Sequence, residues 1–178
     1  ERVRHETIPS LEELLTNAAP ALAKGPIALI LMEDDVEADS TVRHCLSSGF
    51  RSVVAFGVSD IILANDLPDT VHRVVYDMSQ SNALTDVVNA MIEKAPAQWI
   101  YYGYNSEYIF FPFCENRAIG EMLSFHTEER RDAVLTYVVD LYAGGLDAHP
   151  NAVSLDDAYM DKSGYYALAR KDKENNFA

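Results

Sequence analysis

Residues 27–32 read IALILM, six apolar residues in a row, and Glu33-Asp34-Asp35 follows at once. A run this short and unbroken suits a strand covered on both faces, because a half-exposed strand would alternate and a helix would need more length. The core therefore starts on a central strand. Gly25-Pro26 punctuates its beginning, and Ala38, Val42, Cys45, Leu46 and Gly49 then recur on one stripe at helical spacing. Strand, acidic turn and helix form the first unit.

Similar units follow. SVVAFG (52–57) reads as a second strand and VHRVVYDM (71–78) as a third, while Leu84, Val87, Val88, Met91 and Ile92 mark a core-facing helix that ends at Pro96. QWIYYGY (98–104) is aromatic and β-prone, IFFPF (109–113) is a further extended run, 119–132 has a helical pattern, and VLTYVVDLYA (134–143) predicts a last strand. Upstream, Ser10-Leu-Glu-Glu13 fits a capping box that opens a short helix. The expected fold is α/β, a three-layer α/β/α sandwich with a mostly parallel sheet. A single domain is expected over 1–178, with a lead-in at 1–25, a core at 26–143 and an irregular segment at 144–178 that holds a weak strand signal near 165–168.

In such a sheet, ligands bind outside the carboxyl ends of the strands. Those ends supply Glu33, Asp34 and Asp35, then Ser59 and Asp60, then Asp77, then Tyr104, Asn105, Ser106 and Glu107. Three adjacent carboxylates repel one another and resist desolvation, so they either hold a ligand or stay in water at the start of a helix. Turn and capping roles compete for Asp60, Asp77, Ser79, Ser81 and Asn82. The aromatic run from Trp99 to Phe113 is mostly core material, although Tyr102, Tyr104 and Ser106 alternate onto one face where a ring could stack on a base or sugar. His44, His126 and His149 lack ligand spacing, and Asp140 is an acid inside an apolar run that needs a strand end or a partner.

Charge narrows the partners. With 14 basic against 28 acidic residues and a formal charge of −14, nucleic acid is not an expected partner. No apolar run approaches the roughly 18 residues of a membrane span. Two cysteines without motif spacing, Cys45 and Cys114, favour a reducing, cytoplasmic setting over a disulfide framework, and a start at Glu1 suggests a piece of a longer protein.

Two resemblances carry these residues further. ILMEDD, with Asp77 closing VVYDM, is similar to the acidic pair and phosphoacceptor of a response-regulator receiver, which would make Asp77 the phosphorylated group and the acids a Mg²⁺ site. The later strands lack the hydroxyl and Lys that family uses. Over most of 26–170, the order of elements, Ser59-Asp60, RVVYDM, and Trp99 opening QWIYYGYNSEYIFFPF resembles the N-terminal portion of family-2-like bacterial glycosyltransferases of the GT-A fold. That resemblance implies a nucleotide-diphospho-sugar as partner, Mg²⁺ or Mn²⁺ as cofactor, and sugar transfer to an acceptor hydroxyl. Glu107-Tyr108 matches the Glu-Phe of the family's Asp-x-Asp-Glu-Phe motif, which makes Glu107 the candidate metal ligand, but Tyr104 and Ser106 stand at the two aspartates. The motif is degenerate, and an inactive binding module is a third expectation. Arg117, Arg130 or Arg131 could replace the cation against a diphosphate, and Asp140 is the candidate base for the acceptor's proton.

Overall fold

The computed structural model describes residues 7–17, 22 and 24–160. Its chain divides into two units, residues 1–131 and 132–178.

The first unit is built on one four-stranded, all-parallel sheet. Its elements are α1 (Leu11–Asn17), β1 (Ile27–Leu31), α2 (Ala38–Ser47), β2 (Ser52–Gly57), β3 (Val71–Val75), α3 (Ala83–Lys94), β4 (Ile100–Tyr104) and α4 (Ile119–Glu128). The strand order is β3-β2-β1-β4. After β1 the chain steps outward through α2 to β2 and then to β3. After β3 it crosses back through α3 to the other side of β1, and this reversal places the topological switch point between β1 and β4.

The unbroken apolar runs are explained by double coverage. On one face Ala28, Ile30, Val53 and Ala55 join Val42 and Cys45 of α2 and Ile119 and Leu123 of α4. On the other, Ile27, Leu29, Leu31, Val54 and Phe56 join Leu14 of α1 and Val87 and Met91 of α3. Successive residues point to opposite faces, so a strand buried on both must be apolar at every position. The α/β class and the parallel sheet flanked by helices agree with the sequence-based expectation. Ser10 caps α1 as its spacing implies, its Oγ accepting the Glu13 N–H at 3.1 Å.

Among the described residues one buried side-chain polar atom is left unsatisfied. Ser52, at the start of β2, carries a buried hydroxyl with no hydrogen-bond partner. An orphaned hydroxyl costs about 1–3 kcal/mol of desolvation, so Ser52→Ala should stabilise the fold by roughly 1 kcal/mol in urea unfolding. A loss of stability would mean that this hydroxyl has a partner in solution.

The second unit differs from expectation. Residues 134–141 form no strand, and only Tyr142–Ala143 (β5) pairs, antiparallel, with Ala158–Tyr159 (β6). An apolar, β-branched pattern makes a segment ready for a ladder but does not supply the neighbour. Every residue from 131 to 142 is exposed. The run 109–113 likewise forms no strand: Phe111 is buried, whereas Phe110 and Phe113 are exposed and Pro112 lies in a turn. The third strand stops at Val75 and the last helix at Glu128, both short of their expected ends. The weak strand near 165–168 lies outside the described residues.

No helix among the described residues is long and apolar enough to cross a membrane.

Candidate functional site

The carboxyl ends of β1 and β4 meet at the switch point, and there the two candidate stretches come together. Asn105 joins them. Its backbone N–H donates to Leu31 O at 3.2 Å and its Oδ1 accepts the Glu33 N–H at 3.1 Å. Its Nδ2 donates to Asp34 Oδ1 at 2.6 Å and to Val36 O at 2.9 Å. Asp34 Oδ1 also accepts the Val36 N–H at 2.9 Å, which closes an Asx turn over the acidic run.

Ser106 adds a second fastening. Its N–H donates to Thr41 Oγ1 at 2.9 Å and its Oγ to Val36 O at 3.0 Å. Ser106 and Glu37 both adopt positive φ, 65° and 52°. Left-handed backbone costs a residue with a Cβ about 1–2 kcal/mol, and here hydrogen bonds from α2's first turn offset it: Glu37 O accepts from the Thr41 N–H and Thr41 Oγ1. A relay then leads back to β4's loop. Tyr108 Oη and Ser40 Oγ lie 2.6 Å apart, and Ser40 Oγ donates to Glu37 Oε2 at 2.6 Å. The sequence reading missed the Glu37, Ser40 and Tyr108 group, and the Glu37-x-x-Ser40 spacing of a helix's first turn was its only signal.

The opening acids thus divide. Glu33, Asp34 and Asp35 are all exposed, and Asp34 is the one held by protein donors. Glu107 turns back onto β4, its Oε2 accepting the Tyr104 N–H at 2.8 Å. Burial first, and then the carboxylates of Glu33 and Glu107, hold the Tyr104 phenol above its ordinary pKa. Tyr102 is half exposed on the outer part of the same strand.

Strand order removes Asp77 from this group. It follows β3, and β2 stands between β3 and β1. A receiver needs its phosphoacceptor strand beside the first strand, in the order 2-1-3-4-5, so the receiver expectation is corrected. Asp77 instead accepts the Ser79 hydroxyl and N–H, at 2.7 and 3.0 Å, and these hold its carboxyl below the usual range. Ser59 and Asp60, after β2, are exposed and bonded to each other at 3.2 Å.

The loop that carries Ser59 and Asp60 is held from beneath by Arg73 of β3. Arg73 as a whole is only 5% exposed. Its Nη2 donates to Val58 O at 2.5 Å and to Ile61 O at 3.2 Å, its Nε to Ile61 O at 3.2 Å, and its Nη1 to Val74 O and, at 3.4 Å, to Ala55 O. Among the described residues the one ion pair is Arg43–Asp66, so Arg73 is a buried cation matched by carbonyl dipoles.

The arginines proposed against a diphosphate sit elsewhere. Ile119 N–H bonds Ser48 O just before β2, and Trp99 Nε1–H bonds Thr127 Oγ1 just before β4. Arg117 precedes the first contact, Arg130 and Arg131 follow the second, and Arg117 lies over the Phe113 ring at 6.0 Å. These contacts hold the backbone beside all three near the amino ends of β2 and β4 rather than at the rim.

Asp140 is exposed, in a stretch with no strand, so the buried-acid argument that singled it out falls away. His44 Nε2 lies 2.8 Å from Ile109 O, a structural contact. Burial pushes the Cys45 thiol up to about 12, which leaves it protonated and unreactive. Among the described residues no three His, Cys, Asp or Glu side chains are grouped to hold a metal ion. No family model, curated protein or solved structure matches this chain.

Proposed function

We propose that the chain is a nucleotide-sugar-binding module of glycosyltransferase-like fold, with the ligand lying across the carboxyl ends of β1, β2 and β4. The observation that carries this reading is the switch point between β1 and β4, at which the 33–35 and 105–107 stretches share one rim. Crevices at such points are where open α/β sheets take nucleotides. The exposed carboxylates of Glu33, Asp35 and Asp60 suit the hydroxyl groups of ribose and sugar, and Tyr102 and Tyr104 offer rings to a base or sugar face.

Binding is proposed here in preference to transfer. Transfer would require a group to stabilise the departing diphosphate and a base for the acceptor hydroxyl. Tyr104 and Ser106 occupy the positions of the family's two aspartates, the backbone beside the candidate arginines is held near the amino ends of the strands, and Asp140 has lost its rationale.

Calorimetric titration with UDP, GDP and their sugars, with and without Mn²⁺, tests this reading. Saturable heat with at least one of them, without release of free nucleotide on prolonged incubation, is the expected result. No response to any of them sinks the proposal, and steady nucleotide release restores the transferase expectation.

A further inference from the structure

The degenerate motif poses a question of its own: what does Glu107 do, if the side chains around it do not form a cation site? Backbone direction along β4 gives the answer. Trp99 O accepts from the Ile27 N–H, and the Asn105 N–H donates to Leu31 O, so these odd-numbered positions face β1. Polar groups alternate sides along a strand, which turns Tyr104 to the flank of β4 that carries no further strand among the described residues. Both of its backbone groups are taken there by one residue. Glu107 Oε2 accepts the Tyr104 N–H at 2.8 Å, and the Glu107 N–H donates to Tyr104 O at 3.2 Å.

A residue of an adjoining strand would make this same double exchange. We infer that Glu107 is an edge stop, occupying the place of a neighbouring strand at the rim end of β4, and that the rim therefore works without a divalent cation held by Glu107. The other flank is closed in the same manner. Ile8 bridges β3, its N–H donating to Arg73 O at 2.8 Å and its carbonyl accepting the Val75 N–H at 2.9 Å. Unpaired strand edges invite added strands, and folded proteins block them with charges or short covering segments.

The side chains around Glu107 are fastened to the protein in the same way. Asp34 Oδ1 takes two donors, and Asn105 has given both its oxygen and its Nδ2 to the β1 turn. Ser106 has given its hydroxyl hydrogen to Val36 O. A hard cation takes about six oxygen ligands in a regular shell, and no three His, Cys, Asp or Glu side chains among the described residues are grouped to begin one. Gly103 belongs to the same fitting: a Cβ there would come within 2.4 Å of the Tyr101 hydroxyl and 3.0 Å of Glu107 Oε2.

This inference deepens the binding-module reading and rests on it for the ligand, but its test needs no nucleotide. The whole chain is titrated with Mn²⁺ alone, followed by the free-ion paramagnetic resonance signal, alongside Glu107→Gln, Glu107→Leu and Asp34→Asn. Glutamine keeps an acceptor for the Tyr104 N–H and should melt within about 2 °C of the parent, whereas leucine should melt about 2–4 °C lower and self-associate more readily at high concentration. No Mn²⁺ uptake, or uptake that Glu107→Gln does not weaken, supports the edge stop, and the Asp34→Asn variant shows whether any such uptake belongs to the acidic turn instead. One equivalent of Mn²⁺ that Glu107→Gln removes overturns it, as does a leucine variant that matches glutamine in melting and self-association. A nucleotide titration without response sinks the module reading and leaves this one standing.

Discussion

Replacing Arg73 by Ala should cost the fold about 4 kcal/mol, close to the whole stability of a marginal domain. Two effects oppose each other at this side chain. Burying Arg73 at 5% exposure with no carboxylate carries a desolvation cost, which also pulls its pKa down. Against that cost stand its hydrogen bonds to the carbonyls of Ala55, Val58, Ile61 and Val74. Charge-assisted bonds contribute about 1.5–3 kcal/mol each in net terms, so the bonds win.

Truncation to Ala adds a cavity under the 58–61 loop and strands Ile61 O, which receives two of those bonds. Lys is expected to fail as well. An ammonium donates from one point, whereas the planar fork of Arg reaches Val58, Ile61 and Ala55 together. Urea unfolding should place Arg73→Lys about 2 kcal/mol below the parent with an unchanged slope against denaturant. If both variants unfold within 1 kcal/mol of the parent, Arg73 is not what holds the loop carrying Ser59 and Asp60.

Arg73 also illustrates what could not be read from the chain. Within VHRVV it resembles the outward residue of an alternating strand, and its burial follows from the β2–β3 loop folding over it. The strands themselves were legible for the opposite reason. Double burial leaves no polar position in IALIL or SVVAF apart from Ser52, and apolar runs of four to eight residues between turn signals favour strands over helices. Segment 134–141 is also rich in apolar and β-branched residues, though Thr136 and Asp140 interrupt it, but it has no ladder among the described residues, because pairing is a property of two segments.

The rim was legible at the level of strand ends and no further. That Glu33–Asp35 and Asn105–Glu107 would meet required β4 to lie beside β1, and Asp77 fell away because β3 lies beside β2. Neither adjacency is written in periodicity. The strand-end pattern groups Asn105 with ligand-binding residues, yet its amide is engaged in joining two turns, a role that a short Asn after a strand does not advertise.

Asn105→Ala accordingly should be the second most damaging change, and its effect should reach both stability and binding. The substitution deletes three hydrogen bonds at once and leaves a methyl between the Glu33 amide and the Asp34 carboxylate. Water can reach part of this half-buried site, so the loss is smaller than the sum of three bonds, about 2 kcal/mol in urea unfolding. Asp does not restore it: a carboxylate at 105 could still accept the Glu33 N–H but would face Asp34 Oδ1, now 2.6 Å from a donor, with a like charge. Asn105→Asp should therefore be at least as unstable as Ala at pH 7 and should recover part of the difference as the pH falls through the carboxylate range, where one of the pair takes up a proton. The same series separates clasp from ligand contact. If Asn105 only joins the turns, the variants lose nucleotide-sugar heat in proportion to the loosening of residues 33–37, visible as faster amide exchange there. Loss of binding with unchanged exchange would instead make Asn105 a direct contact, and an Ala variant as stable as the parent would show that β1 and β4 hold their rim without it.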